Sequence, residues 1–339
     1  MILAVDDFLR LRQFLPVVDV RSEKEYDQGH IRGAINLPIL NNEERAEVGT
    51  VYKRQGQHEA IKTGFRLVGP RMADIVEAAH NLAADGELLV HCWRGGMRSS
   101  NFCQIIGMAK IASHQLSGGY KAYRERAVAA YASPLKLHVI AGHTGSGKSE
   151  VVRALAARGE QVIDLEHLAR HRGSAFGGLM MPPQPTTEQF QNDLFEEIRQ
   201  LDPERRIWVE DESISIGRVI LPEPFWRQML TAPVYEVFLD KSHRIERLVA
   251  EYGKADREAF LEAMQRITRK LGGQNFNAAR DMLIARDMHA TIDILLRYYD
   301  KAYERGLSRH ADRLRDRICW DGVNVDLCVA ELLQACNDQ

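Results

Sequence analysis

The stretch Leu135-Lys136-Leu137-His138-Val139-Ile140-Ala141-Gly142-His143-Thr144-Gly145-Ser146-Gly147-Lys148-Ser149 decides the fold. Its first seven residues are mostly apolar and predict a buried strand. The next eight fit G-x-x-x-x-G-K-[ST] at every position, and Glu150 to Arg158 reads as the helix that follows. Strand, glycine-rich loop and helix in that order make a phosphate cradle. The glycines let backbone N–H groups turn inward, and the helix offers its positive end to the same anion. Lys148 is placed to reach the terminal phosphate, and Ser149 to ligate magnesium. The loop indicates phosphate more firmly than nucleotide hydrolysis, since any diphosphate-bearing ligand suits it and no element reads adenine or guanine.

Further strands are predicted downstream at 161–164, 206–210 and 234–240, and the chain beyond Asp240 reads as mostly helical. Glu210, Asp211 and Glu212 stand at a strand end, where Glu210 or Asp211 is placed to hold magnesium through water. Arg244 and Arg247 are candidates for a lid over a phosphate. Residues 177–185, with three prolines and two glycines, read as a loop.

Upstream, Tyr123 to Pro134 breaks into a helix tail and a Ser-Pro step, which reads as a domain junction. Before it, strands are predicted at 15–21, 29–38 and 86–91, and helices at 70–84 and 100–108; the charged stretch 41–62 fits no regular pattern. Strands alternating with helices predict an α/β fold with parallel sheets. The expected organisation is a first domain over 1–125, a linker over 126–135, a phosphate-loop α/β domain over 136–240 and its helical C-terminal part over 241–339.

The chain has 339 residues, 45% hydrophobic and 27% charged, a globular balance that suits two domains. With 45 Lys+Arg against 47 Asp+Glu, the net charge of -2 excludes a histone-like polycation. No apolar run approaches the roughly 20 residues that span a bilayer, and the N-terminus carries no secretory signal pattern. Five scattered cysteines suggest no disulfide framework, so a reduced, cytoplasmic setting is expected.

In such a setting one cysteine can carry chemistry. The segment His91-Cys92-Trp93-Arg94-Gly95-Gly96-Met97-Arg98-Ser99 lies between a predicted strand and helix. Inward N–H groups at a helix N-terminus, with Arg94 and Arg98 nearby, favour the thiolate of Cys92 and an anion above it. Gly95 and Gly96 permit the tight loop. The other four cysteines fall in helical or tail patterns and read as packing residues. Two chemistries stay open: a sulfur or selenium carrier, or a phosphatase in which cysteine attacks phosphorus. The loop itself holds no acid for a phosphatase leaving group.

The first 125 residues resemble the rhodanese family in Asp19-Val20-Arg21, Glu25-Tyr26, Gly29-His30-Ile31, Gly33-Ala34-Ile35-Asn36-Leu37-Pro38, Cys92 and Ser117-Gly118-Gly119-Tyr120. In that family the cysteine carries sulfur or selenium. The loop from Cys92 to Arg98 is one residue longer than in simple thiosulfate sulfurtransferases, which implies a phosphate-sized anion. The whole chain resembles the bacterial tRNA 2-selenouridine synthase family. The cysteine loop, the phosphate loop, Asp164-Leu165-Glu166-His167, His171-Arg172-Gly173-Ser174-Ala175-Phe176-Gly177 and the charged insert 43–53 carry that likeness.

This resemblance implies replacement of sulfur by selenium in wobble 2-thiouridine of tRNA, with selenophosphate as donor. It also implies a geranylated intermediate formed from geranyl diphosphate. A selenophosphate-producing enzyme is the expected partner, and no membrane is involved. On this view the P-loop holds a leaving diphosphate, and Phe176, Phe190, Phe195 and Trp226 are candidates for a geranyl channel. Residues 241–320 hold 17 Lys+Arg against 12 Asp+Glu, so tRNA phosphates are expected on Arg266, Arg269, Lys270, Arg280, Arg286, Arg297, Lys301 and Arg305. Tyr298, Tyr299 and Tyr303 are the expected base-stacking residues. The alternative is an ATP- or GTP-dependent sulfurtransferase, or a kinase with a sulfur-carrying domain.

Overall fold

The structure, a computed structural model, describes residues 1–83 and 85–337, with only the backbone for 305–310. Two compact units divide the chain at Ala130/Tyr131.

Unit 1 is built on five parallel strands: β1 (Ile2–Leu3), β2 (Val17–Asp19), β3 (Ile35–Asn36), β4 (Glu87–His91) and β5 (Ala112–Leu116). Their order is β1-β5-β4-β2-β3. Leu88, Leu89 and Val90 of the central β4 are wholly buried, as a strand covered on both faces requires. β1 and β5 escape sequence reading. The first has two residues, and the second, Ala-Ser-His-Gln-Leu, is polar and becomes a strand through its pairing with β1 and β4. The stretch 41–62, which shows no regular pattern, forms two consecutive helices, Asn42–Gln55 and Gln57–Val68, broken at Gly56 with φ +90°. Asn41 starts the first with a capping box, its side chain accepting from Glu44 N–H. None of that helix's residues is buried, so no apolar stripe announces it. The helix Gly119–Ala132 runs through most of the expected linker.

Unit 2 carries a second parallel sheet: β6 (Lys136–Ala141), β7 (Gln161–Ile163), β8 (Arg206–Glu210), β11 (Val234–Phe238) and β12 (Leu314–Cys319), in the order β12-β11-β6-β8-β7. A small antiparallel ribbon, β9 (Ser215–Ile216) and β10 (Val219–Ile220), stands apart. The helical stretch expected after Asp240 is there, but β12 interrupts it. Leu-Arg-Asp-Arg-Ile-Cys is an edge strand with one buried residue, so it shows none of the apolar character that marks β6. Among the described residues no helix is long and apolar enough to cross a membrane.

Candidate active site

The unit 1 site forms where β4 ends. Cys92 follows the strand, and the helix Met97–Met108 begins after the loop at Gly96. Gly118 and Gly119, at φ +70° and +63°, press beneath the loop. A Cβ on Gly119 would lie 2.4 Å from both the Cys92 carbonyl oxygen and the Gly95 nitrogen. Tyr120 N–H and Lys121 N–H donate to the carbonyls of Cys92 and Trp93. Among the described residues the N–H groups of Trp93, Arg94, Gly95 and Gly96 donate to no backbone carbonyl, which leaves them for an anion.

Cys92 is 3% exposed, at the floor of this loop. Ser99 Oγ lies 3.1 Å from Cys92 Sγ, and Gln115 Nε2 donates to Ser99 Oγ at 2.9 Å. Arg94 and Met97 are exposed. Arg98 turns to Glu25, at 2.6 and 3.3 Å, and Arg45 of the exposed helix pair reaches the same carboxylate at 2.9 Å. Burial would push Glu25 up, but its bonds to Arg98 and the charge of Arg45 hold it below its ordinary value. Arg98 thus braces the loop against unit 1 rather than standing free beside sulfur.

Behind the loop lies a buried polar knot. Arg21 and Asp19 are wholly buried and paired at 2.6 Å, with the guanidinium 3.9 Å from the Tyr120 ring centroid. Burial would raise the Asp19 carboxyl; the charge of His91, where that ring is protonated, and the hydrogen bonds and charge of Arg21 outweigh it and hold it low. His91 is pushed down to about 4, chiefly by burial, so near neutral pH its 3.7 Å approach to Asp19 is no ion pair and Arg21 does the holding. The sign follows. Between pH 6.5 and about 4 the unfolded chain binds a proton that folded His91 refuses, so stability falls as pH falls, by up to about 1.4 kcal/mol per pH unit. The urea midpoint should drop across that window, and less so in His91→Phe, which keeps a ring where neither imidazole nitrogen has a hydrogen-bond partner among the described residues. Equal slopes in the two proteins would contradict this assignment.

The unit 2 site forms where β6 ends. Gly142, Gly145 and Gly147 take φ of +157°, +82° and +87° around the loop. Lys148 Nζ donates to Gly142 O at 2.8 Å, and the buried Ser146 hydroxyl has no partner among the described atoms. Ser149 Oγ donates to Glu166 Oε2 at 2.6 Å. His143 packs on the Tyr303 ring, 4.0 Å between centroids, and burial lowers its pKa. The loop is braced from far along the chain. Arg244, 5% exposed, donates to Thr144 O at 3.2 Å while paired with Asp300 at 2.7 Å. Trp320 Nε1 donates to Ser146 O at 3.0 Å, and its ring fills the space beside Gly147. Arg247 pairs with Glu150, donates to Gly322 O and lies 5.2 Å from the Trp320 ring centroid. Arg244 therefore sits under the loop as a buried brace, not over it as a lid.

Acids gather on the other side. Glu210 is wholly buried, accepts from Glu166 N–H at 3.1 Å and leaves Oε1 with no hydrogen-bond partner among the described residues. Burial and the Glu166 charge raise it well above its ordinary value. The same two causes push Glu212 up to about 8, against the pull of Lys148. A Cβ on Gly173 would meet both Glu212 and Glu166, so residues 164–173 and 210–212 converge on Ser149. Asp211 continues the sheet, its N–H donating to Ile140 O. Glu166 and Glu212 are site residues that spacing alone does not single out. Their signal is the pair of acid-rich segments, each following a strand of the same sheet.

The expected tRNA-stacking tyrosines point inward. Tyr298 and Tyr299 pack on the apolar core around Phe176, Leu248 and Phe260, where Tyr299 OH also accepts from Ala175 N–H. Tyr303 covers His143. Arg280 and Arg297 are paired with Asp281 and Asp293. The Arg305 side chain lies outside the described residues. Phe176, Phe190 and Phe195 are buried core.

A family model described as "tRNA 2-selenouridine synthase AAA domain" matches residues 135–326, and a "Rhodanese-like domain" model matches 5–126. The chain belongs to the tRNA 2-selenouridine synthase family. A tRNA 2-selenouridine synthase of Nitrosomonas europaea is 33% identical, over 94% of each chain. One from Shewanella sp. (strain ANA-3) is 34% identical over 88% of this chain and 90% of its own. One from Bdellovibrio bacteriovorus is 38% identical over 71% of this chain and 65% of its own. The family models fall on the two units in turn, so each anion loop belongs to its own domain.

Proposed function

We propose that this chain replaces the sulfur of wobble 2-thiouridine in tRNA with selenium, in two steps at two anion cradles. In the first, the thione sulfur attacks C1 of geranyl diphosphate. A carbon–sulfur bond forms, the carbon–oxygen bond breaks, and diphosphate leaves into the loop 142–149 under Lys148. Ser149 and Glu166, whose side chains meet at 2.6 Å, would hold a magnesium ion that offsets charge on the diphosphate. In the second step selenophosphate occupies the Cys92 loop; its selenium bonds to C2 as the carbon–sulfur bond breaks and geranyl thiol departs, the Cys92 sulfur takes the phosphoryl group as the phosphorus–selenium bond breaks, and water then releases it as phosphate. A selenophosphate-producing enzyme is the natural supplier, in the cytoplasm where tRNA resides.

One observation carries the reading. Four consecutive N–H groups with no backbone acceptor among the described residues follow a cysteine at the end of a parallel strand, in a chain whose second domain offers an independent phosphate loop. Related chains named tRNA 2-selenouridine synthase support it. The test is nucleoside mass spectrometry after incubating the purified chain with thiolated tRNA, geranyl diphosphate and selenophosphate. Geranylthiouridine and then selenouridine are expected; neither product would overturn the reading.

Gly119→Ala offers a sharper check. The added carbon collides with backbone at 2.4 Å and displaces the Cys92 loop. Selenium insertion into geranylated RNA should fall at least about a hundredfold, with geranylation unchanged. An unaltered insertion rate would show that the loop geometry is not needed.

A further inference from the structure

Three aromatic side chains are exposed among the described residues, Phe14, Tyr52 and Phe65, and two of them stand on the helix pair Asn42–Gln55 and Gln57–Val68. Tyr52 is 53% exposed and Phe65 63%. Gln57, Ile61 and Phe65 follow one another at i, i+4 and i+8, so they share one face of their helix. Gln57 Nε2 approaches Met97 Sδ at 3.8 Å, and Met97 is itself exposed on the cysteine loop. The face therefore runs up to the mouth of the Cys92 cradle. The Arg45–Glu25–Arg98 bridge fixes the same helix pair to that loop.

The charges nearest its rings favour a polyanion, while the exposed acids Glu43 and Glu47 lie toward the opposite end of the first helix. Arg71 is neutralised by Glu44 and Lys62 by Glu59. Lys53, Arg54 and Arg66 are exposed and form no ion pair among the described residues. Exposed rings interleaved with free cations are what a single-stranded nucleic acid needs: bases stack on the rings, and phosphates meet the cations.

We propose that this helix pair is the docking surface for an unpaired RNA loop, with bases on Tyr52 and Phe65, phosphates on Lys53, Arg54 and Arg66, and the reacting uridine delivered past Met97 to Cys92. This rests on the tRNA reading above and places the partner on a face that the sequence offered only as an irregular charged stretch.

The test is binding of a synthetic stem-loop RNA with 2-thiouridine in its loop to the full chain, at several salt concentrations. Tyr52→Ala with Phe65→Ala should weaken binding by about tenfold or more, with the thermal midpoint unchanged because both side chains are exposed. Replacing Lys53, Arg54 and Arg66 by Ala should flatten the slope of log affinity against log salt by about 2. Variants that bind like the parent would overturn the assignment and leave the tRNA reading standing. A parent chain that binds no RNA would bring down both. Self-association of the parent that disappears in the aromatic variant would assign the face to a second copy and overturn the proposal.

Discussion

Cys92→Ser should reduce selenium incorporation at least about a thousandfold while geranylation of thiolated tRNA continues at the parental rate. The sulfur lies 3% exposed at the floor of its loop, 3.1 Å from Ser99 Oγ. Serine keeps the volume and the hydrogen bond but not the sulfur nucleophile. Loss of a nucleophile that works as a unit with its surroundings has effects of this size. The check is the ratio of geranylthiouridine to selenouridine by mass spectrometry. Accumulation of the geranylated nucleoside is the expected signature, and undiminished selenouridine would remove Cys92 from the reaction.

Lys148→Ala should do the converse. Lys148 is the loop's cation; it now donates to Gly142 O and is free to exchange that carbonyl for a diphosphate oxygen. Removing one preorganised charge aimed at a leaving group costs about a hundred- to a thousandfold in rate. Geranyl transfer should fall by that factor, while selenium insertion into RNA supplied already geranylated stays within about twofold. Full geranylation in this variant would take the loop out of the prenyl step. Phosphate release from ATP or GTP, stimulated by RNA and lost with Lys148, would favour a nucleotide-driven sulfurtransferase.

Both sheets and both anion loops are legible in the amino-acid order because their information is local. Five apolar residues among the seven before Gly142, or three before His91, announce a strand without reference to the rest of the chain. What cannot be read depends on partners distant in sequence. β12 is polar and becomes a strand through β11, some eighty residues earlier. The roles of Arg244 and Tyr303 are set by burial, since a surface helix and a buried one can present the same arginine or tyrosine. The helix pair 42–68 lacks a buried stripe on its first member, so its exposure, the very property that suits it to RNA, hides it from pattern. Glu166 and Glu212 lie on different segments, and only their meeting at Gly173 joins them.

The bracing of the loop 142–149 has a temporal side. Arg244 holds Thr144 only with Asp300 in place, and Ser146 gains its indole donor from residue 320. A ribosome therefore finishes β6 and the loop long before it makes the residues that steady them. Nascent chains halted before β12 carry the motif without its supports, so the loop gains its full bracing only late in synthesis, after residue 320 has been made.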